Sequence, residues 1–71
     1  MTTEMTASEA AAELTAVGCQ ARVWRGNGLV TVYYQADGIK GEIWCRSISN
    51  TVRDESTVWA AIASIVNSKQ R

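Results

Sequence analysis

The residues that could carry covalent or metal chemistry in this chain are few. Its 71 residues include two cysteines, Cys19 and Cys45, and no His. Without His there is no Ser-His or Cys-His catalytic pair and no His-ligated metal site. The carboxylates do not pair either, because Glu42 stands alone in its strand and Asp37 and Asp54 occupy a turn and a helix start. We therefore predict no enzyme activity, no catalytic residues, no metal site and no cofactor.

The aromatic and basic side chains are the remaining candidates for function. Residues 20–53 hold five basic and two acidic residues, a local charge of +3, whereas residues 1–19 carry −3 and the whole chain is neutral. Trp, Tyr and Arg dominate the hot spots of protein interfaces. Aromatic residues interleaved with basic ones also hold single-stranded nucleic acid, by stacking and phosphate contacts. What this set can do depends on the elements that position it.

Two amphipathic helices are predicted, one near each end of the chain. The first runs over about 6–17, because Thr6 and Glu9 have the spacing of a capping box and Gly18 is placed to end it. The second runs over about 54–68. Helical spacing predicts that the first helix buries Ala7, Ala10, Ala11, Leu14 and Val17, and that the second buries Val58, Trp59, Ile62, Ile65 and Val66.

Three strands are predicted between the helices, over about 19–25, 29–35 and 39–46. Asn27-Gly28 and Asp37-Gly38 separate them, and both dipeptides are typical of two-residue type I′ hairpin turns. Turns of this length fix the register of each hairpin. One cross-strand row is then Trp24–Thr31–Trp44, and the next is Arg22–Tyr33–Glu42.

The two turns are independent signals, yet their registers sort the side chains onto the same two faces of the sheet. A slip of one residue in either hairpin would mix the faces. The apolar one, which we name the covered face, collects Ala21, Val23, Val30, Val32, Tyr34, Gly41, Ile43 and Cys45. The other, which we name the open face, collects Gln20, Arg22, Trp24, Thr31, Tyr33, Gln35, Lys40, Glu42, Trp44 and Arg46.

The covered face supplies the apolar surface that both helices need. We therefore predict a two-layer α+β domain of order α-β-β-β-α, with both helices packed on one face of a three-stranded antiparallel meander sheet. The whole chain, 1–71, forms this single small domain. Arg25 falls on the covered face at a hairpin end, where it either reaches water or contacts a helix terminus.

The two cysteines are predicted to stay reduced. In this register they lie near opposite ends of the sheet, about 20 Å apart at about 3.3 Å per strand residue. A disulfide requires Cα atoms closer than about 7 Å. The N-terminus lacks the basic and apolar stretches of a signal peptide, and no apolar run reaches 18 residues. We therefore expect a cytoplasmic protein without a membrane segment.

The element order and length resemble those of the double-stranded-RNA-binding domain over nearly the whole chain. The resemblance implies RNA contacts from the first helix, the first hairpin loop and a lysine cluster that opens the second helix. Here the first helix region carries Glu4, Glu9 and Glu13, and Asp54 and Glu55 open the second helix. The resemblance is therefore one of topology, and no RNA-contacting residue is carried over from it.

The open face is the predicted interaction site, and two interpretations of it stay open. Its aromatic residues could simply stabilise the sheet, at roughly 0.2–1 kcal/mol per cross-strand pair. Alternatively the face binds a protein, either a second copy in a homodimer or another chain; a further alternative is single-stranded nucleic acid. The candidate partner-binding residues are Arg22, Trp24, Thr31, Tyr33, Lys40, Glu42, Trp44 and Arg46.

The neutral total and the mixed charge of this set favour a protein partner over nucleic acid. Only 23 apolar side chains larger than Ala are present, counting Cys and Met. A domain this small needs nearly all of them in its core. Leaving two Trp in water indicates that a partner covers them. We therefore expect a non-enzymatic interaction module, of an adaptor or inhibitor type, that acts as a homodimer.

Overall fold

A computed structural model describes residues 4–69 of the chain. Met1, Thr2 and Thr3, which bear on the signal-peptide expectation, lie outside this range. The elements in chain order are helix α1 (Ala7–Ala16), strands β1 (Gln20–Gly26), β2 (Leu29–Ala36), β3 (Ile39–Arg46) and β4 (Thr51–Val52), and helix α2 (Glu55–Lys69). The predicted α+β architecture is confirmed, with both helices on the covered face of an antiparallel sheet.

Both predicted hairpin turns form, and they set the register as expected. Asn27 and Gly28 have φ angles of 53° and 73°, and Asp37 and Gly38 have 45° and 85°. Two consecutive positive φ angles define the type I′ turn, whose twist matches that of the flanking strands. Trp24 pairs with Thr31 and Thr31 with Trp44, as predicted. The row Arg22–Tyr33–Glu42 also forms.

The sheet contains a fourth strand that the sequence analysis did not predict. Strand β4 pairs with the end of β3, and the strand order is β1-β2-β3-β4. Asn50 turns the chain into β4 with a φ of 58°. On the far side of β4, Val52 N–H donates to the Met5 carbonyl at 2.8 Å and Thr6 bridges to Thr51. The segment before α1 is thus tied to the sheet.

Helix α1 has the predicted signals at both ends. At its start, the Glu9 N–H donates to Thr6 Oγ1 at 3.1 Å, and the Thr6 N–H donates to Glu9 Oε1 at 3.0 Å. At its end, Gly18 has a φ of 85°, and the N–H of Cys19 donates to the Leu14 carbonyl at 3.1 Å. This is the Schellman arrangement, which satisfies the last carbonyls of the helix.

Helix α2 begins one residue later than predicted, because Asp54 is its N-terminal cap. Asp54 Oδ1 accepts from the Ser56 N–H at 3.0 Å and from Ser56 Oγ at 2.6 Å. At the other end, Lys69 Nζ donates to the Val17 carbonyl, where α1 ends. The positive charge of Lys69 also interacts favourably with the negative end of the α1 helix dipole. Arg71 lies outside the described residues.

The core lies between the two helices and the covered face. Its largest fully buried side chains are Leu14, Ile43, Ile65, Val32 and Val58. Small residues fill the helix contacts, since Ala7 and Ala10 are fully buried and Ala61 is 5% exposed. The prediction that Trp59 is buried is wrong, because the α2 stripe runs through Val58, Ala61 and Ile65. This spacing leaves Trp59 48% exposed on the flank.

Candidate functional site

The open face carries three half-exposed aromatic side chains, one on each long strand. Trp24 is 43% exposed, Tyr33 46% and Trp44 54%. They come from β1, β2 and β3, and the confirmed register brings all three onto the face opposite the helices. Their placement is that expected from the sequence. Backbone pairing on both sides of β2 holds them on a rigid platform.

Thr31 lies between the two Trp residues and behaves differently from its neighbours. It pairs with Trp24 on one side and with Trp44 on the other, and it is only 6% exposed. Large rings on adjacent strands therefore shield it from solvent. Thr31 was predicted to contact a partner, but its side chain offers little exposed surface for such a contact. Thr31 spaces the two rings apart, and a partner on the open face would meet the rings first.

The Trp24 ring leans along its own strand rather than standing upright. A Cβ placed on Gly26 would come within 2.9 Å of Trp24 Cζ2 and 3.0 Å of Cη2. The ring therefore lies against the Gly26 backbone, where any side chain would displace it.

Leu29 belongs to the open face and was missed from the candidate residues. It is 46% exposed and pairs with Gly26, one row beyond Trp24 and Thr31. The signal was present in the sequence, because Leu29 lies two positions before Thr31 and successive side chains of a strand alternate between faces. The apolar patch therefore has four large side chains rather than three.

The charged residues of the open face surround this patch. Arg22 and Glu42 flank Tyr33 in one cross-strand row, and Lys40 lies in the next row opposite Gln35. All three charged side chains are exposed. Arg46 differs, because its Nη1 lies 3.5 Å from Glu4 Oε1 in an exposed ion pair. Within residues 4–69 this is the one ion pair, so Arg22 and Glu42 keep free charges there.

A shallow depression lies beside Tyr33 at the β2–β3 turn end of the sheet. It encloses about 620 Å³ and is open to solvent. On the open face it is bordered by Gln20, Arg22, Tyr33, Gln35, Lys40 and Glu42. Its lining combines apolar surface with polar groups and carries both signs of charge. It therefore places hydrogen-bonding groups beside the apolar patch.

The reactive residues do not form a chemical site in the part of the chain that is described. Cys19 and Cys45 are both free and buried. Burial raises the pKa of the Cys45 thiol, an effect that the charge of Arg53 partly offsets, so Cys45 remains a protonated core residue. Between residues 4 and 69, no cluster of three or more His, Cys, Asp or Glu could hold a metal ion.

Two other sequence-based expectations can be compared with the structure. Arg25 is exposed, as expected for a side chain at the hairpin end that reaches water. Asp54 and Glu55 are exposed at the start of α2, where the double-stranded-RNA-binding domain has its lysine cluster. No helix within residues 4–69 is long and apolar enough to cross a membrane.

Comparison of the chain with protein-family models, with curated proteins and with solved structures found no match.

Proposed function

We propose that this protein is a non-enzymatic interaction module that binds another protein chain through the open face. The proposal rests chiefly on one observation. Trp24, Leu29, Tyr33 and Trp44 lie together on one rigid sheet face, each between 43% and 54% exposed. An aromatic side chain buries roughly 150–250 Å² when covered, so the four leave an exposed patch of several hundred Å². Patches of this size mark interaction sites on soluble proteins.

The distribution of large side chains in the domain supports this proposal. All three Trp are at least 43% exposed, while three of the six buried residues of the helices are Ala. A core this small gains stability from every large apolar residue placed inside it. Two Trp on the open face contribute most when a partner desolvates them. The patch also has the composition of an interface centre, with charged residues confined to its margin.

The charges favour a protein over single-stranded nucleic acid. Glu42 lies in the patch margin, and Glu4 neutralises Arg46. Among residues 4–69, no other ion pair forms, which leaves Arg22 and Lys40 as free cations of the open face and Glu42 as a free anion. Phosphate binding gains its affinity from several unopposed cations, with salt-dependent release of counterions. A margin of mixed sign suits a protein surface of mixed sign.

Site-specific photocrosslinking in the cells that express the protein tests this proposal. A benzophenone amino acid replaces Tyr33 in one variant and Trp59 in a matched control, since both positions are exposed to a similar degree. We expect a protein adduct from position 33 that Trp44→Ala abolishes, and no such adduct from position 59. Equal yields from both positions would contradict the proposal. A nucleic-acid adduct at position 33 would replace it with the alternative.

A further inference from the structure

The side chains of the open face are arranged so that one particular two-fold rotation brings complementary residues of two copies together. Its rows run across three strands, with Thr31 and Tyr33 in the middle column on β2. Arg22 on β1 and Glu42 on β3 stand on opposite sides of Tyr33. A rotation of 180° about an axis parallel to β2 exchanges the outer columns and keeps each row in place. Arg22 of one copy then faces Glu42 of the other, and the reverse contact forms as well.

We infer that the partner of the open face is a second copy of this chain, stacked sheet on sheet about a two-fold axis parallel to β2. This inference rests on the proposed function and names its partner. The interface is isologous, so every contact occurs twice. Stacked sheets keep their strands within about 30° of each other, which this axis allows. The two Arg22–Glu42 contacts are then the charged pairs of the dimer.

The same rotation also matches the apolar rows. Trp24 of one copy faces Trp44 of the other, and Thr31, Leu29 and Tyr33 each face their own symmetry mates. The Trp24 ring lies over Gly26, and Arg46 of the second copy is the residue opposite Gly26. No two like charges face each other in these four rows.

The state of the charges selects this axis over one perpendicular to the strands. A perpendicular axis through Thr31 would bring Glu42 against Arg46 of the second copy. Arg46 is already engaged by Glu4 of its own chain, at 3.5 Å. A perpendicular axis between the rows of Thr31 and Tyr33 would instead oppose Arg46 and Lys40, which are both cations. The axis parallel to β2 pairs the charges of Arg22 and Glu42 and creates no conflict.

The area of the face suits a dimer of moderate strength. The four large side chains expose on the order of 100 Å² each. A standard interface buries about 800 Å² per partner. The apolar patch supplies about half of that, and the bordering residues Arg22, Gln35, Lys40 and Glu42 supply polar area around it. Stacking over all four rows covers both sets.

An exchange of charges between two variants tests the inference on the purified full-length chain. Arg22→Glu places two carboxylates against each other at both symmetric contacts, and Glu42→Arg places two cations there. Sedimentation equilibrium should show each variant alone dissociating at least about tenfold more readily than the unaltered chain, because facing like charges oppose association. In a 1:1 mixture, opposite charges meet at both contacts. The mixture should therefore form a one-to-one heterodimer of near-native affinity.

A matched pair of variants controls for attraction by net charge alone. Arg25→Glu and Glu13→Arg make the same charge changes at exposed positions outside the open face. These should dimerise like the unaltered chain, both alone and mixed. A monomer at all concentrations, or a dimer indifferent to the exchange at 22 and 42, would overturn the inference. A monomer that still gives the position-33 crosslink to a different protein would leave the proposed function standing.

Discussion

The two faces of the sheet are built from the same three strands yet differ in their large apolar residues, because the covered face has a single aromatic side chain, Tyr34, which is partly buried against the core. The covered face and its helices bury short aliphatic side chains, of which Leu14 and Ile43 are among the largest. The open face holds Trp24, Tyr33 and Trp44, each at least 43% exposed. The core is therefore formed mainly by smaller apolar side chains, and the larger aromatic side chains of the open face stay accessible to solvent. The difference supports the proposal that one face stabilises the domain and the other binds.

The chain contains two Leu residues, one in the core and one on the open face. Substituting them should give the largest contrast in stability. Leu14 is fully buried and Leu29 is 46% exposed. Leu14→Ala should lower the free energy of unfolding by about 2–5 kcal/mol, through lost burial and the cavity left behind. Leu29→Ala should lower it by less than about 1 kcal/mol in the monomer. Urea unfolding at low protein concentration measures both, and equal losses would erase the distinction between the faces.

Truncation of an open-face Trp should affect association more than folding. Trp44→Ala removes a cross-strand contact worth about 0.2–1 kcal/mol to the monomer. Loss of an interface hot spot costs about 2 kcal/mol or more, so the dissociation constant should rise roughly 30-fold or more. Trp59→Ala, at a similarly exposed position on α2, is the matched control and should leave association unchanged. Equal effects of the two substitutions on association would mean that exposure alone drives it.

A change in the helix cap should affect folding more than association. Thr6→Ala removes the side-chain acceptor for the Glu9 N–H at the start of α1. Such caps contribute about 0.5–2 kcal/mol to stability. Unfolding should become easier by that amount, while the dissociation constant extrapolated to folded protein stays the same. Ser8→Ala, at an exposed position in the same turn, should change neither quantity. A weakened dimer in Thr6→Ala would show that the two faces are coupled.

Acid should remove a small contribution from the α2 cap. Hydrogen bonds from the Ser56 hydroxyl and then from its N–H lower the pKa of Asp54 below its ordinary value of 3.8. A carboxyl whose pKa is lower in the folded state stabilises the fold above its unfolded pKa. That contribution is lost as the pH falls through the folded value. The stability difference between the unaltered chain and Asp54→Asn should therefore shrink below about pH 4, as urea unfolding across this range would show. A difference that persists in acid would contradict the role of the Asp54 charge.

Much of this fold could be predicted because local signals agree with one another. Asn27-Gly28 and Asp37-Gly38 fix both hairpin registers, and those registers place Trp24 and Trp44 on the same face. The capping side chains of Thr6 and Glu9 set the start of α1, and Gly18 sets its end. Signals of this kind act within a few residues and are readable in sequence.

The features that were missed depend on contacts between distant segments. Strand β4 is two residues long and pairs with β3 and with the segment at Met5. A strand this short has no periodic pattern from which it could be predicted. Trp59 is exposed because the α2 stripe is set by how that helix meets α1 and β3. The pairing of Arg46 with Glu4 links residues far apart in the chain. None of these can be read from spacing along one element.

The central claim is that association covers the open face and leaves the rest of the surface as it is. Hydroxyl-radical footprinting of the unaltered chain over a range of concentrations tests it directly. Trp24 and Trp44 report on the open face, whereas Trp59 reports on the surface of α2. As concentration rises through the dimer range, oxidation of Trp24 and Trp44 should slow while that of Trp59 stays constant. Rates for Trp24 and Trp44 that remain constant at every concentration, or that change together with Trp59, would contradict the claim.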